Sequence, residues 1–446
     1  MEVVIIGGDA AGMSAGSRIK RHRPDFNITV FERTHDVSYS ACGMPYNLAD
    51  PGREMDDLVV RQAQVFREKQ NIDLKIGHRV EKIDAAGRTV SGTSESGEAF
   101  YKNYDKLLIA TGASPVIPDL AGCALPGVCA LKSLEDGRAI KTFIKERPVN
   151  KAVIIGMGYI ALEMAEALRA REIELEMVKP RPTFLPWLAP DLAWEVKNEV
   201  IKNGVGIHTG TPIHKIEPDK ARLKVVCEDE TLEADMVLVA VGIKPNSQIA
   251  ADAGIVLGPG GAVTVDQSLQ TSIPGIYAAG DCADAYHVVT GERVWIPLAL
   301  RANRAGWAAA DNICGNRIEL AGVAGTAVFK VFDFEVARTG ITTTEAESAG
   351  FDPVDVSIKS SSRAHAHPGS GLIWVHMIGD KKSGRLLGAQ MVGREGVAHR
   401  INAAAVALHA GMTVEAFSQS DLAYAPPFGP TWDPLLTASN QLKKRM

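Results

Sequence analysis

The stretch "VVIIGGDAAGMSAGSRI", residues 3–19, passes from β-branched residues through a cluster of glycines into an alanine-rich run. Val3–Ile6 reads as a buried strand, Gly7–Gly12 as a tight turn, Ser14–Arg23 as a helix and Ile28–Phe31 as a second strand ending at Glu32. Residues 152–179 repeat the plan. Ala152–Ile155 enters "GMGYIA", a helix runs to about Arg171, and a strand closes at Lys179. In each copy a buried strand enters a glycine turn that opens a helix, and helix N-termini offer free N–H groups to a pyrophosphate. One such turn also arises for packing alone. Two copies in the same context point to two dinucleotide-binding βαβ units.

The two copies differ in informative ways. In the first, Gly7 and Gly12 are in place but Asp9 occupies the second glycine position. An acid beside a pyrophosphate is unfavourable, so its side chain is expected to point away or the loop to sit differently. Glu32 lies 20 residues past Gly12, where a carboxylate accepts hydrogen bonds from ribose hydroxyls. The second copy has Gly156 and Gly158, with Ala161 for the third glycine. Its ribose position carries Lys179, with Arg181 close behind. Cations there favour a 2′-phosphate, hence NADPH over NADH; the other reading of Lys179 is a solvated strand-end lysine.

Two shorter segments add to the pattern. "YDKLLIATGASP" (104–115) is a buried strand ending at Thr111-Gly112 and Pro115. "TSIPGIYAAGDCAD" (271–284) is a strand delivering Asp281 onto a glycine turn. A carboxylate there can hold a ribityl hydroxyl, and a following helix can present N–H groups to a flavin. Each alone could be a capped turn; their order around the second βαβ unit is specific.

Bulk properties set limits. A chain of 446 residues, 46% apolar and 23% charged, exceeds one hydrophobic core and implies two or three domains. The net charge of −5 argues against a general nucleic-acid or anionic-membrane binder. No apolar run reaches the roughly 18 residues of a membrane span, and "MEVVIIGG" moves from Met straight into a strand with no basic region of a signal peptide. The cysteines (42, 123, 129, 227, 282 and 314) form no CxxC pair and no metal-type spacing, so no metal site is expected and reduced thiols suggest the cytoplasm.

The motif order resembles the flavoprotein pyridine-nucleotide disulfide oxidoreductases over nearly the whole chain. The resemblance implies an α/β fold with two Rossmann-like domains and a C-terminal α+β dimerisation domain. The FAD domain would comprise 1–113 and 245–322, with an NAD(P)H domain (114–244) inserted and a dimerisation domain at 323–446. "ATGASP" and "VGIKPN" (241–246) are the glycine/proline crossings between the first two. By position, the resemblance assigns FAD contacts to Gly7, Ala10, Ala11, Gly12, Glu32, Arg33, Val80, Thr111, Gly112, Gly280, Asp281 and Ala299. It assigns nicotinamide-nucleotide contacts to Gly156, Gly158, Ile160, Glu163, Lys179, Arg181 and Gly242.

Paired-cysteine members of that superfamily carry a C-x4-C redox disulfide. This chain has Ser38, Cys42, Gly43, Pro45 and Tyr46 in S-x3-C-G-x-P-Y form. It is similar to the single-cysteine branch: coenzyme A disulfide reductases, coenzyme A persulfide reductases and NADH oxidases or peroxidases. "DLAYAPPFGPTWDP" (421–434) resembles that branch's C-terminal signature, which implies that Tyr424 of one subunit reaches Cys42 of the other in a homodimer. A free cysteine is often a small buried hydrophobe, the reading for the other five. Cys42 follows the ribose acid by ten residues and is expected to open a helix, whose N-terminus would lower its pKa and favour the thiolate.

The expected reaction is NAD(P)H-dependent reduction of a small disulfide or persulfide, best matched by coenzyme A, through a mixed disulfide on Cys42. The alternative is an oxidase or peroxidase cycling through a Cys42 sulfenic acid. Tyr424 is the candidate proton donor. The resemblance places Ser14, Arg21 and Ser38 at ligand positions, and Arg18 and Lys69 extend a basic lining that could equally be a solvated helix face. This chain departs from the branch at Ala41, Ala366, His367, Asn303 and Trp432. His367 could supply a proton near neutrality or be a loop residue, and Asn303 stands where the branch can place a histidine.

Overall fold

The computed structural model describes every residue from Met1 to Met446. Glu2–Ile6 forms the middle of a five-stranded parallel sheet, ordered Ile276–Ala278, Lys106–Ile109, Glu2–Ile6, Asn27–Phe31 and Asp73–Lys75. Val4, Ile5 and Leu107–Ile109 are sealed from solvent, as expected of strands covered on both faces. Each such aliphatic side chain contributes about 2 kcal/mol. The helix that follows starts at Ala10 and ends at His22, earlier than Ser14. Ala10 and Ala11 are strong helix formers, and Gly12 lies within the first turn. A Cβ on Gly12 would stand 1.9 Å from the Gly7 carbonyl oxygen, so this glycine is required by helix-to-turn proximity. The helix Ala299–Ile313 packs alongside, where a Cβ on Gly306 would come 2.3 Å from the Ala11 carbonyl oxygen.

The second sheet repeats the first: Val205–Thr209, Glu174–Lys179, Lys151–Ile155, Met236–Val239 and Val128–Cys129, again parallel. Its helix runs from Tyr159 to Arg169, and Glu172 at φ 61° turns the chain back short of the expected Arg171. The likeness extends past what the sequence displays. An antiparallel meander (His78–Asp84, Thr89–Ser94, Ala99–Asn103) accompanies the first sheet, and another (Ile213–Asp219, Arg222–Cys227, Thr231–Ala234) the second.

Ala113–Pro115 pairs antiparallel with Ile243–Pro245, and Asn246 latches the two. It accepts from Ser114 Oγ at 2.7 Å and donates to the Thr111 carbonyl at 2.9 Å, while Thr111 Oγ1 donates to the Asn246 carbonyl at 2.6 Å. Beyond Ala327 the chain forms a five-stranded antiparallel sheet, ordered Ala327–Val331, Phe334–Gly340, Leu386–Gly393, Leu372–Asp380 and Pro353–Ser361. Its inward residues pack with Ile401, Ala404, Phe417, Leu435 and Leu442 of three C-terminal helices. On the opposite face Phe329, Phe334, Val336 and Trp374 merge with the core of the second parallel sheet. No helix is long and apolar enough to cross a membrane.

Candidate active site

The two glycine turns are built alike. Gly7 has φ 112° and Gly156 φ 120°. A Cβ on Gly7 would lie 2.1 Å from the Ala110 carbonyl oxygen, and one on Gly156 would lie 2.2 Å from that of Ala240. Each turn therefore backs onto the end of the neighbouring strand. Gly158, at the start of the second helix, has nothing within 4 Å of its Cβ position; the same holds for Gly112 and Gly242. At the first turn, Glu32 accepts from the Gly8 N–H at 2.7 Å and from the Thr34 N–H at 2.8 Å. Asp9 is turned away, accepting from the Tyr39 N–H at 3.1 Å; burial pushes its carboxyl up to about 6.

The helix expected after Asp281 is present but begins at Ala299, further along the chain. The strand ends at Ala278, a two-stranded hairpin (Ala285–Tyr286 with Arg293–Val294) intervenes, and the helix begins only at Ala299. The reason lies in Arg301, buried, which donates to the carbonyls of Gly280, Ala283 and Asp284. It fixes the turn from the later helix, and Gly280 at φ 86° would bring a Cβ 3.0 Å from Ala11 Cβ. Asp281 itself pairs with Lys132 Nζ at 3.0 Å. Neither Arg301 nor Lys132 stands at a telling spacing in the sequence, so both were missed. Val80 packs against the first core, while Arg33 is exposed.

Cys42 lies in a 3-10 turn, Ala41–Gly43, that leads into the short helix Met44–Ala49. Met44 and Leu48 of that helix are buried in the core of the second parallel sheet with Leu162. A residue of the first glycine-turn domain is thereby held at the seam with the second. Cys42 is open to solvent, and its thiol is pushed up by the groups packed around it. Burial is the main cause and Glu163 the next; Asp281 and Asp9 add to it, and Lys132 opposes. The expected lowering by a helix N-terminus is thus corrected: the helix has six residues, and acids outnumber the one opposing cation. Tyr46 of the same helix donates to Glu163 Oε1 at 3.0 Å.

Other expected contacts divide. Lys179 Nζ donates to the carbonyls of Thr183 at 2.7 Å and Phe184 at 3.1 Å, so it braces a loop and leaves Arg181, exposed, as the free cation. Ile160 and Glu163 lie half-buried in the first turn and a half of the second helix. Ser14 Oγ donates to Asn303 Oδ1 at 2.7 Å, joining two residues singled out separately. Arg18 is held by Asp311 at 2.7 and 2.8 Å and lies over Trp307, whereas Arg21 and Lys69 are exposed. The basic helix face is therefore split, with one arginine committed to the protein. Ser38 takes φ 49° and its N–H donates to the Gly8 carbonyl at 3.1 Å.

In the C-terminal domain, Tyr424 is 50% exposed, with Phe428 at 78% and Trp432 at 62%. His367, in the loop 362–371, is hydrogen-bonded to the Pro368 carbonyl at 3.1 Å. That loop meets the 424–433 segment: the Ala364 N–H donates to the Pro426 carbonyl at 3.0 Å. Arg400 ties both, donating to the Ser362 and Phe428 carbonyls and to Asp433. A separate cavity of about 580 Å³, lined by Trp187, Trp194, His376 and Asp355, opens at the seam between the second parallel sheet's domain and the C-terminal sheet.

Two parallel sheets with matching glycine turns, and one cysteine held between them, define a nucleotide-dependent redox protein acting at sulfur. The chain belongs to the pyridine nucleotide-disulphide oxidoreductase family: the family model matches residues 1–310, and the model of the family's dimerisation domain matches 326–434. It is 40% identical over 445 residues, 99% of this chain and 98% of the other, to an NAD(P)H coenzyme A polysulfide/persulfide reductase from Pyrococcus horikoshii. It is 34% identical, over 100% of this chain and 99% of the other, to an NADH oxidase from Methanocaldococcus jannaschii. Among solved structures, an NAD-dependent persulfide reductase from A. fulgidus superimposes with a TM-score of 0.96 at 39% identity, covering 100% of this chain and 83% of that one.

The family works with FAD and NAD(P)H, and the residues present fit both. Gly158, Gly112 and Gly242 leave open space at the turn tips, and Glu32 stands just past the end of its strand with Oε2 on the Gly8 N–H of the turn and Oε1 on Thr34. Bound FAD supplies the relay of an electron pair from NAD(P)H to sulfur.

Proposed function

We propose that this protein reduces a low-molecular-weight disulfide or persulfide, with coenzyme A as its thiol partner, using NADPH in preference to NADH. The observation that carries this reading is the lone Cys42, fixed at the seam between the two nucleotide-binding units by a helix buried in the second. A substrate disulfide supplies the sulfur that paired-cysteine enzymes provide themselves. Cys42 sulfur attacks one substrate sulfur, the first thiol leaves, and a mixed disulfide remains on Cys42. An electron pair and a proton then release the second thiol and restore the Cys42 thiolate.

In this reading Gly7, Ala10, Ala11, Gly12, Glu32, Arg33, Val80, Thr111, Gly112, Gly280, Asp281 and Ala299 surround FAD. Gly156, Gly158, Ile160, Glu163, Arg181 and Gly242 hold the nicotinamide nucleotide. Ser14, Asn303, Arg21, Ser38 and Lys69 line the thiol partner's approach. The segments 1–113 and 245–322 form the FAD domain, 114–244 the NAD(P)H domain and 323–446 the dimerisation domain. The working unit is a cytoplasmic homodimer in which Tyr424 and His367, on loops joined by Arg400, meet the partner's Cys42 site. The commitment of Arg18 to Asp311 removes a cation from the coenzyme A approach and favours the second reading, an oxidase or peroxidase.

The test is anaerobic NADPH consumption with coenzyme A disulfide as sole acceptor, beside Cys42→Ser. Turnover lost in the variant is the expected result. No turnover, with rapid NADPH use once oxygen or peroxide is admitted, would move the protein to the oxidase reading.

A further inference from the structure

The helix Leu134–Glu146 opens on a reciprocal cap between Ser133 and Asp136, and Leu134, Gly137 and Ile140 form its buried side. Leu134 and Ile140 lie in the core of the second parallel sheet. Arg138 and Lys141 stand three residues apart beside that stripe, so both project from one face. A Cβ on Gly137 would lie 2.7 Å from Met55 Cε, so the helix runs close against the turn Met55–Leu58. That approach brings its cations to segments that belong by sequence to the first nucleotide unit. Lys132, just before the helix, pairs with Asp281 at 3.0 Å. Lys141 Nζ donates to the Asp50 carbonyl at 3.0 Å and to the Arg53 carbonyl. Arg138 does more than either. Its Nη1 and Nη2 donate to the two oxygens of Asp36 at 2.8 and 2.7 Å, and its Nε and Nη2 donate to one oxygen of Asp56 at 2.9 and 2.6 Å.

The two acids stand on either side of Cys42 in sequence. Asp36 closes the loop that starts at Glu32, whose Oε1 accepts from the Thr34 N–H and hydroxyl, each at 2.8 Å. Only 10% of the Asp36 side chain is exposed. Asp56 belongs to the turn Met55–Leu58, and that turn is the ledge under Cys42. The Ser40 N–H donates to the Leu58 carbonyl at 2.8 Å, and a Cβ on Gly43 would stand 2.7 Å from Leu58 Cδ2. A guanidinium shared by two carboxylates fixes direction as well as distance, because its planar fork holds both at once. We propose that Arg138 is a positioning residue, which ties the loop that grips FAD to the ledge beneath Cys42 and so couples FAD retention to the exposure of the sulfur. The coupling is reciprocal: what loosens the ledge also weakens the hold on FAD. The assignment rests on the reading of Glu32 as an FAD residue and is independent of the sulfur's substrate.

The FAD-loaded protein, without NAD(P)H, is followed in two ways. Release of FAD on dilution is read as the rise of free-flavin fluorescence, and alkylation of Cys42 by iodoacetamide across pH 7 to 10 is read by peptide mass. Arg138→Met should raise both rates, each on the order of 5-fold. Asp56→Asn, on the cysteine side, should raise alkylation and FAD release about 2-fold each; that cross-effect is what coupling adds to a plain ion pair. If Arg138→Met does not load FAD, Asp56→Asn carries the same test. Cys282, sealed in the first core, reports unfolding and should stay unreacted. Arg222→Met breaks an ion pair with Glu233 and Asp235 inside the second domain and should change neither rate. Parent rates in Arg138→Met, FAD release unmoved by Asp56→Asn, equal effects in Arg222→Met, or Cys42 reacting only together with Cys282 would each overturn the assignment. If Glu32→Gln releases FAD no faster than the parent, the FAD reading of Glu32 fails and the assignment falls with it. Neither rate involves a disulfide, so the absence of turnover with coenzyme A disulfide would sink the disulfide-reducing reading alone.

Discussion

Gly156 and Gly158 stand two residues apart in one turn, and the structure gives them opposite duties. Replacing Gly156 by Ala forces a side chain onto backbone at φ 120° and sets its Cβ 2.2 Å from the Ala240 carbonyl oxygen. Backbone strain costs about 1–3 kcal/mol and overpacking a further ~1–3 kcal/mol. The second parallel-sheet domain should lose about 2–6 kcal/mol, a fall in Tm of roughly 5–20 °C. Gly158 has φ −88° and ψ −171°, extended backbone that alanine adopts freely, and its Cβ would meet nothing within 4 Å. Reduced freedom of the unfolded chain gains ~0.4–1 kcal/mol, offset by a poorer helix cap of about the same size. Stability should therefore stay within ~1 kcal/mol. The open space is where a pyrophosphate approaches the helix start, so a methyl group there should cost ~1–3 kcal/mol of nucleotide binding, roughly a 5- to 150-fold rise in KM. Thermal unfolding of the FAD-loaded protein and steady-state titration with NADPH measure the two effects. If Gly158→Ala melts as Gly156→Ala does, or binds NADPH as the parent does, the division between folding and binding glycines is refuted.

Arg181→Ala should reduce the ratio of kcat/KM for NADPH over NADH by about tenfold, whereas Lys179→Met should change that ratio little and lower Tm through the lost Thr183 and Phe184 carbonyl contacts; parallel kinetics with both nucleotides separate them. Lys132→Met removes the cation that lowers the Cys42 thiol and leaves Asp281 unpaired, so the Cys42 alkylation profile should move to higher pH and stability should fall by ~1–3 kcal/mol. Asp9 bears on pH dependence through a sign that can be worked out. The folded protein holds its proton to about 6 while the ordinary value is 3.8, so the folded state binds more protons between those values and stability falls as pH rises through that window, by up to about 3 kcal/mol. Asp9→Asn should flatten this part of a denaturant-stability profile; a slope identical to the parent's would show that Asp9 titrates normally.

What the sequence made legible is what depends on backbone geometry. Gly7, Gly12, Gly156 and Gly158 mark two turns because no other residue fits three of those positions, and the β-branched runs before them can only be buried strands. The family and the two parallel sheets follow from that pattern, whereas the C-terminal domain was expected only through the family resemblance and its antiparallel order is seen in the structure. The side-chain electrostatics were not legible. Nothing in "LKSLEDG" (131–137) announces that Lys132 pairs with Asp281 149 positions away, and the spacing of Arg18 and Arg21 cannot tell which one Asp311 takes. The thiol of Cys42 was misjudged for the same reason: the local helix start is visible in sequence, but Glu163, Asp281 and Asp9 arrive from three other segments.

Those segments also explain why one cysteine can be placed so closely. A redox sulfur on a surface turn of the first domain would drift relative to the second. Here Met44 and Leu48 are buried in the second domain's core, Tyr46 reaches Glu163, and Arg171 donates to the Leu48 carbonyl at 3.3 Å. The helix after Cys42 belongs by sequence to one nucleotide unit and by packing to the other. Its six residues are too few to lower a thiol pKa by dipole, but they are enough to bolt the sulfur at the seam. Leu48→Ala, which would cost ~2–5 kcal/mol if the helix were simply core, should also loosen that bolt. The thiol would then see less of Glu163 and more of water, and its alkylation profile should fall toward that of an ordinary cysteine.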